Sequence, residues 1–418
     1  MNSEFVGPTY LDGNRIVLPE KFRWHEAIDV RKRLHTATNI RGFKDVVLDF
    51  SLLKNVYPNG IVPVVAEVVR LQRLGIQFDV IPPSSEDLLS LFVRNGWLHF
   101  ICPEKWELPK TEGYRSLPLS RFSTDEELNE IVSKVVEICL QQLVFAEGVP
   151  QAFEWVLNEI SGNVLVHSNM SFGWIQVVTY KENHRLALIV CDSGVGIPGS
   201  MKKAFKFRDD REAIELAMRK GVTSNPAFGQ GNGLAGALAI AQHSNGMFAI
   251  TSHKGRVRVL DGKVEPTFHF PFYTGTCVEM QFPTDKEIDL PKALWGHDPV
   301  NHMELKFEDD KGDLVFDLRE YASSFGNRIT GERLRNLVVN LLKQNPGHAV
   351  KIQMTNVGII SSSFGDELFG KLFVELGPID FSRSIKFQGI NPICKSIIDM
   401  SIAQRVAQSS GYYQGGAS

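Results

Sequence analysis

Residues 151–169 read QAFEWVLNEISGNVLVHSN, and what this stretch becomes decides the fold. Phe153, Val156, Leu157, Ile160, Val164 and Leu165 recur at helical spacing, so one face of a helix packs into a core while another stays polar. On the polar side Glu159, Asn163 and His167 follow one another at intervals of four, which points all three the same way. A carboxylate and an amide one turn apart can hold a hydrated magnesium ion and a water or hydroxyl beside a phosphate chain, with the carboxylate as proton acceptor. An amphipathic helix with ordinary solvated residues has the same pattern. The surrounding chain has to choose between them.

Downstream, strands are expected over 174–180 and 186–191, with the loose alternation of strands covered by helices. The second runs into CDSGVGIPGSM. Asp192 at a strand end, followed by Gly194 and Gly196, gives a carboxylate at the floor of a pocket and a backbone that approaches a ligand closely. A buried aspartate there accepts a hydrogen bond from an exocyclic amine, and adenine offers one. Turns rich in Gly and Asp are common, so this string carries weight only in company. A helix over 210–220 precedes GVTSNPAFGQGNGLAGALAIAQHSNG, where Gly229, Gly231 and Gly233 lead into an apolar helix over 234–243. Glycine-rich backbone opening a helix favours phosphate, because unpaired amides and the positive helix end both face it. No GK[ST] follows, which excludes the Walker type, and the strand and ribose-binding acid of a dinucleotide fold are missing. The segment before these glycines reads as a lid whose Lys220, Thr223 and Ser224 reach phosphates; for each singly, a solvated loop residue is the plain alternative. Strands follow over 247–252, 263–268 and 277–282, the last introduced by Gly275 and Thr276.

The ordered set of NExxxN on a helix, DSGVGIP after a strand, GQGNGL before a helix and GT before the closing strand resembles the four boxes of the GHKL superfamily. This is the Bergerat ATP-binding fold of gyrase, histidine kinases, mismatch-repair ATPases and anti-sigma-factor serine kinases. The resemblance covers about 124–283 and implies an α/β sandwich that binds ATP and Mg2+. Residue by residue, it implies Glu159 as general base, Asn163 as magnesium ligand, Asp192 as adenine reader and Gly194 and Gly196 as its supporting turn. It makes Gly229, Gly231, Gly233 and Leu234 the phosphate loop and sets Thr276 beside the adenine. EISGNVLVHSN is most similar to the anti-sigma-factor kinase form, in which a histidine follows the asparagine by four. That implies an orienting role for His167, with a satisfied structural histidine as the alternative.

Length and composition agree with such an enzyme. At 418 residues the chain is long enough for about two to four domains, and 43% hydrophobic with 22% charged residues is ordinary globular composition. A formal charge of -3 offers no broad basic field for nucleic acid, which is not expected as a partner. Cys102, Cys139, Cys191, Cys277 and Cys394 are scattered without a CxxC pair, as for reduced, mostly buried thiols of a cytoplasmic protein. No basic-then-apolar leader opens the chain. The longest apolar run, near 60–69, contains Pro63 and Glu67, so no membrane span is expected.

The flanks read as two small α/β domains around the central one. In 1–109, strands over 14–18, 46–50 and 78–81 alternate with helices over 25–37, 60–74 and from Ser85. This order resembles a STAS domain, the module of anti-sigma-factor antagonists. VVLDFSLLKNVYPNG fits the frame, but Pro58 falls where that family places its acceptor serine, which implies a docking or structural role. A polar connector over 110–123 leads to a helix over 124–146, and an acidic linker spans 284–311. In 312–408 a strand over 313–317, a helix over 330–344 and a strand over 349–354 precede NVGIISSSFGDELFGKLF. This segment again resembles a STAS-like domain, with Ser362 standing where the first copy has Pro58. Helix capping by residues 361–363 is the simpler explanation of the serines. Residues 409–418 read as a tail.

Two functions compete on this reading. In one, the central domain is an ATPase or protein-serine kinase in which Glu159 takes a proton from water or a serine hydroxyl, signalling through the STAS-like domains to a protein partner. In the other, ATP is an allosteric ligand with little turnover, and lid closure changes how the flanking domains or a second subunit pack. The superfamily often pairs its ATP domains, so a homodimer stays open.

Overall fold

The computed structural model describes residues 9–109, 117–167, 172–223, 231–299 and 302–409. The chain forms two compact units: Met1–Val136, Phe153–Pro283 and Ala293–Trp295 make the first, and Glu137–Ala152, Thr284–Lys292 and Gly296–Ser418 the second.

The first unit opens with an α/β layer. Its elements are β1 (Tyr10–Asp12), β2 (Arg15–Val17), α1 (Trp24–His35), β3 (Asp45–Asp49), α2 (Pro58–Arg73), β4 (Gln77–Ile81), α3 (Glu86–Arg94) and α4 (Trp97–Ile101). The strand order is β1-β2-β3-β4, with an antiparallel hairpin and parallel neighbours after it. Pro58 starts α2, where its missing N–H costs no hydrogen bond and its fixed φ suits the first helical position.

A second sheet follows, built from β5 (Ser120–Phe122), β6 (Gly173–Tyr180), β7 (Arg185–Cys191), β8 (Met247–Leu260) and β9 (Lys263–Pro283). It is antiparallel throughout, in the order β8-β9-β7-β6-β5. The helices of this part are α5 (Asp125–Gln142), α6 (Val149–His167), α7 (Gly196–Met201), α8 (Asp210–Ala217) and α9 (Gly233–His243). Their packing side of the sheet carries Ile175, Val177, Leu188, Val190, Met280 and Phe282, all buried.

The other face of this sheet is covered by the N-terminal layer, for which the sequence alone predicts a separate domain. Trp174, Ile189, Cys191, Tyr273 and Cys277 belong to one core with Ile61, Val62, Val64, Val65 and Val68 of α2. That explains why α2 is apolar almost all round: it has a sheet on each side, so no face needs to be polar. Polar groups are matched across the same layer. Trp97 Nε1 donates to Gln176 Oε1 at 3.0 Å, and Gln176 Nε2 donates to Asn95 Oδ1 at 2.7 Å. The Arg256–Glu279 ion pair (2.6 Å) is buried, with the Arg256 guanidinium 4.0 Å above the Trp24 ring.

The second unit holds a parallel sheet of β10 (Leu314–Asp317), β11 (Val350–Gln353) and β12 (Ile385–Gln388). Around it lie α10 (Arg328–Gln344), α11 (Ser362–Gly365), α12 (Lys371–Ser384) and α13 (Pro392–Ser409). Asn327 caps α10 by accepting from Thr330 N at 2.8 Å.

Boundaries differ from the sequence expectation where polar composition hid pairing. Residues 120–122, expected within a connector, are an edge strand because Phe122 is buried beneath the sheet's helices. The helix expected over 124–146 stops at Gln142, and residues 284–288 of the expected linker bond to the loop beyond it: Ala146 N donates to Thr284 O (2.8 Å) and Ile288 N to Glu147 O (3.0 Å). The five cysteines are free and buried. Among the described residues no helix is long and apolar enough to cross a membrane.

Candidate functional site

Helix α6 is laid along the sheet by its apolar face. Phe153 meets Phe282 edge-on with ring centroids 5.8 Å apart, near one end. At the other end Val164 abuts Gly173, where an added Cβ would come within 2.7 Å of the valine Cγ1. Gly173 precedes Trp174, which is in register with Cys191, and Asp192 leaves the sheet immediately after Cys191. The polar residues of α6 therefore reach the end of the sheet where Asp192 lies. Glu159 and Asn163 are both half-buried there.

Asp192 is 4% exposed. Its Oδ1 accepts from Gly194 N at 2.7 Å, and its own N–H donates to Thr276 O at 2.8 Å. Burial pushes the carboxyl up to about 7, against the opposing pull of hydrogen bonds from the Gly194 and Thr276 backbone. Gly275, at φ +93°, has no room for a side chain because a Cβ would strike the Asp192 carbonyl and come 2.7 Å from its Oδ1. Gly196, at φ +68°, is equally confined, with Ser252 Oγ 2.7 Å from where its Cβ would stand.

Ser252 ties these turns together and was missed in the sequence. Its buried hydroxyl donates to Gly275 O (2.7 Å), accepts from Ile197 N (2.9 Å) and lies 3.3 Å from Thr276 Oγ1. A serine inside a strand carries no signal of this role, since its partners are 55 and 23 positions away in the chain.

The glycine segment closes on α6. A Cβ at Gly233, the first residue of α9, would lie 2.5 Å from Glu159 Oε2, so the helix start and the carboxylate share one space. Leu234, next along α9, is half-buried. Gly231, at φ +72°, packs on Val222, whose carbonyl carbon would be 2.5 Å from an added Cβ. Its carbonyl and Asn232 Oδ1 both accept from Gly221 N, each at 3.2 Å. Of the lid residues, Lys220 is exposed with its Nζ 4.5 Å from the Trp295 ring centroid, and Thr223 is half-buried. Ser224 and Gly229 lie outside the described residues, as does the side chain of His167 in the last turn of α6. The structure thus brings Glu159 to Gly233, and Asp192, Gly194 and Gly196 to Thr276. Ser362 belongs to the second unit.

The comparisons fall on the same residues. Residues 148–286 match the family described as histidine kinase-, DNA gyrase B-, and HSP90-like ATPase. The chain carries a GHKL-type ATPase domain. Residues 330–393 match a STAS-like domain of unknown function (DUF4325). No curated protein matches the chain. The first match spans α6, the Asp192 turn, the start of α9 and Thr276, and so contains every described candidate residue of the nucleotide site. The second contains Ser362. Neither reaches the N-terminal layer.

ATP and magnesium fit what is present. Two glycine backbones with no space for side chains stand beside Glu159 and Asp192, as needed where phosphates and a base approach closely. Among the described residues no cluster of three or more His, Cys, Asp and Glu side chains is assembled for a metal. A magnesium ion that keeps its waters and phosphate oxygens needs no such cage, and the half-buried Asn163, one helical turn from Glu159, is the residue whose amide would hold it.

Proposed function

We propose that this chain is a Mg·ATP-binding regulatory enzyme of the anti-sigma-factor-kinase type, signalling through its STAS-like C-terminal domain to a protein partner in the cytoplasm. The observation that carries the reading is the meeting of Glu159 with the start of α9 at Gly233. It puts a carboxylate beside a helix N-terminus, whose positive end stabilises a terminal phosphate.

Asp192 accepts from the adenine amine, with Thr276 beside the base and Gly194 and Gly196 allowing its approach. Gly229, Gly231, Gly233 and Leu234 cradle the phosphates, and Lys220, Thr223 and Ser224 contact them from the lid. Asn163 holds magnesium, which when bound neutralises charge on the phosphate oxygens. Glu159 takes the proton from a water or serine hydroxyl as its oxygen attacks the γ-phosphorus, and the bond to the ADP oxygen breaks. His167 orients the site from the last turn of α6.

Ser362 is the proposed acceptor for transfer within the chain. It is the exposed first residue of α11, whereas the cap is Ser361, whose Oγ accepts from Phe364 N at 3.1 Å. The simpler explanation of the three serines therefore uses Ser361 and leaves Ser362 facing solvent. The N-terminal layer, with strands and helices in STAS-like order and Pro58 starting α2, serves as a docking element. Pairing of two ATP domains would fit the same scheme.

Glu159→Ala tests the enzyme reading. Retained Mg·ATP binding with loss of phosphate release or transfer supports it; unchanged release removes Glu159 from catalysis. The switch reading draws on a different observation: α6 begins in the second unit and carries its site residues in the first. Unchanged signalling output in the same variant would favour that alternative.

A further inference from the structure

We propose that α10 of the STAS-like domain positions the ATPase helix α6, through a ladder of amide side chains that holds the α5–α6 connection. Backbone partners satisfy part of the loop between these helices: Leu143 N donates to Cys139 O (2.9 Å), Val149 N to Ala146 O (3.3 Å), and Thr284 and Ile288 take one group each. The last carbonyls of a helix lack intrahelical partners, and no glycine or asparagine follows Gln142 to cap them.

Side-chain partners for six further backbone groups come from about 200 residues further along the chain, on α10. Asn336 Nδ2 donates to Gln141 O at 3.0 Å. Asn340 Nδ2 donates to Leu140 O (2.9 Å) and Leu143 O (2.8 Å), while its Oδ1 accepts from Phe145 N (2.8 Å). Gln344 Oε1 accepts from Gly148 N (3.0 Å) and its Nε2 donates to Ala146 O (3.2 Å). Arg333 Nε adds a bond to Gln141 Oε1 at 2.8 Å. Positions 333, 336, 340 and 344 share one face of a helix. Asn340 is completely buried and uses both of its polar atoms, so it has no second role to play.

The hold is stiff from both sides. The rest of α10 is anchored by Leu334, Leu337, Val338 and Leu341 in the core of its own unit. A displacement of α10 must either break the ladder or carry the loop with it. Gly148, the last residue of that loop, stands at φ +75° against the Ile288 backbone, and α6 starts at the next residue. From Val149 the helix runs unbroken to Glu159 and Asn163, a rise of about 15 Å to the first and about 21 Å to the second at 1.5 Å per residue. The segment that carries Ser362 is tied to α10, since Arg335 Nη2 lies 3.6 Å from Oε1 of the buried Glu367 in the turn after α11. Asn340 is thus a positioning residue, acting on Glu159 and Asn163 through the first turn of α6, and the ladder is the point at which the STAS-like domain governs the nucleotide site.

The test uses the full chain with Asn340→Ala and Gln344→Ala, reading hydrogen exchange by mass spectrometry and Mg·ATP affinity by titration. We expect faster exchange over residues 143–163 and an affinity lower by about fivefold or more, the low end of typical coupling between sites. Exchange over 350–353 should stay at its wild-type rate, as the control for an intact second unit. Wild-type exchange over 143–163 in a folded variant would overturn the proposal, and so would faster exchange there with unchanged affinity, which would leave the ladder merely structural. Should Asn340→Ala fail to fold, Gln344→Ala decides by the same comparisons, since it removes only the two bonds at the end of the ladder. The affinity readout rests on the nucleotide reading. If wild-type protein binds no Mg·ATP, that reading falls, while the exchange comparison still decides whether α10 orders α6.

Discussion

Asp192 is where burial and binding chemistry meet most closely. In the unfolded chain its carboxyl titrates near 3.8, and in the folded protein burial raises it to about 7. Between those values the folded state keeps a proton that the unfolded state has lost. Stability therefore declines as pH rises from about 4 to about 7 and levels off above that. Asp192→Asn should remove this slope, which urea titrations of both proteins at a series of pH values will read. The same substitution should weaken Mg·ATP binding by roughly 1–3 kcal/mol through a disturbed buried hydrogen bond; equal affinity would remove Asp192 from the adenine. For Glu159→Ala, single-turnover assays with labelled ATP should show phosphate release or transfer slowed by about 10²–10⁴-fold with nucleotide still bound. The placement of Asp192 at a strand end and of Glu159 on a helix is legible in the sequence, from the apolar run before DSGVGIP and the helical spacing of NExxxN. Ser252 is not. Its role comes from the hydrogen bonds that join two turns, and nothing in the spacing of a strand marks a serine as a staple.

At the scale of elements, two glycine-bearing turns and one strand serine hold the candidate adenine site. Ser252→Ala removes the acceptor of Ile197 N and the donor to Gly275 O, so a loss of about 1–3 kcal/mol is expected in chemical denaturation. Mg·ATP affinity should fall with it. Stability at the wild-type level would show that the turns are held by other means. Helices and strands with a single packing face were read from periodicity with shifts of a few residues. α2 shows where periodicity runs out: with a sheet on either side, its apolar run named a buried segment but not what buried it. The short edge strand Ser120–Phe122 was hidden in the same way, since three residues are too few to display alternation.

At the scale of the whole molecule, the N-terminal layer is part of the same compact unit as the ATPase sheet. The buried Arg256–Glu279 pair is its clearest electrostatic feature, so Arg256→Met, which strands Glu279, should cost about 3–5 kcal/mol and lower the thermal midpoint. An unchanged midpoint would mean that water reaches Glu279. The boundaries of the second unit were illegible for a related reason. Residues 137–152 read as helix and loop of the ATPase domain, and only the amides of α10, far away in sequence, reveal where their backbone is satisfied. The central claim is that four separated segments enclose one ATP. Its most direct test is isothermal titration calorimetry of Mg·ATP into the full chain and into Asp192→Asn. One site per chain, weakened in the variant, is the predicted result; no heat from wild-type protein across several temperatures and magnesium concentrations would contradict it.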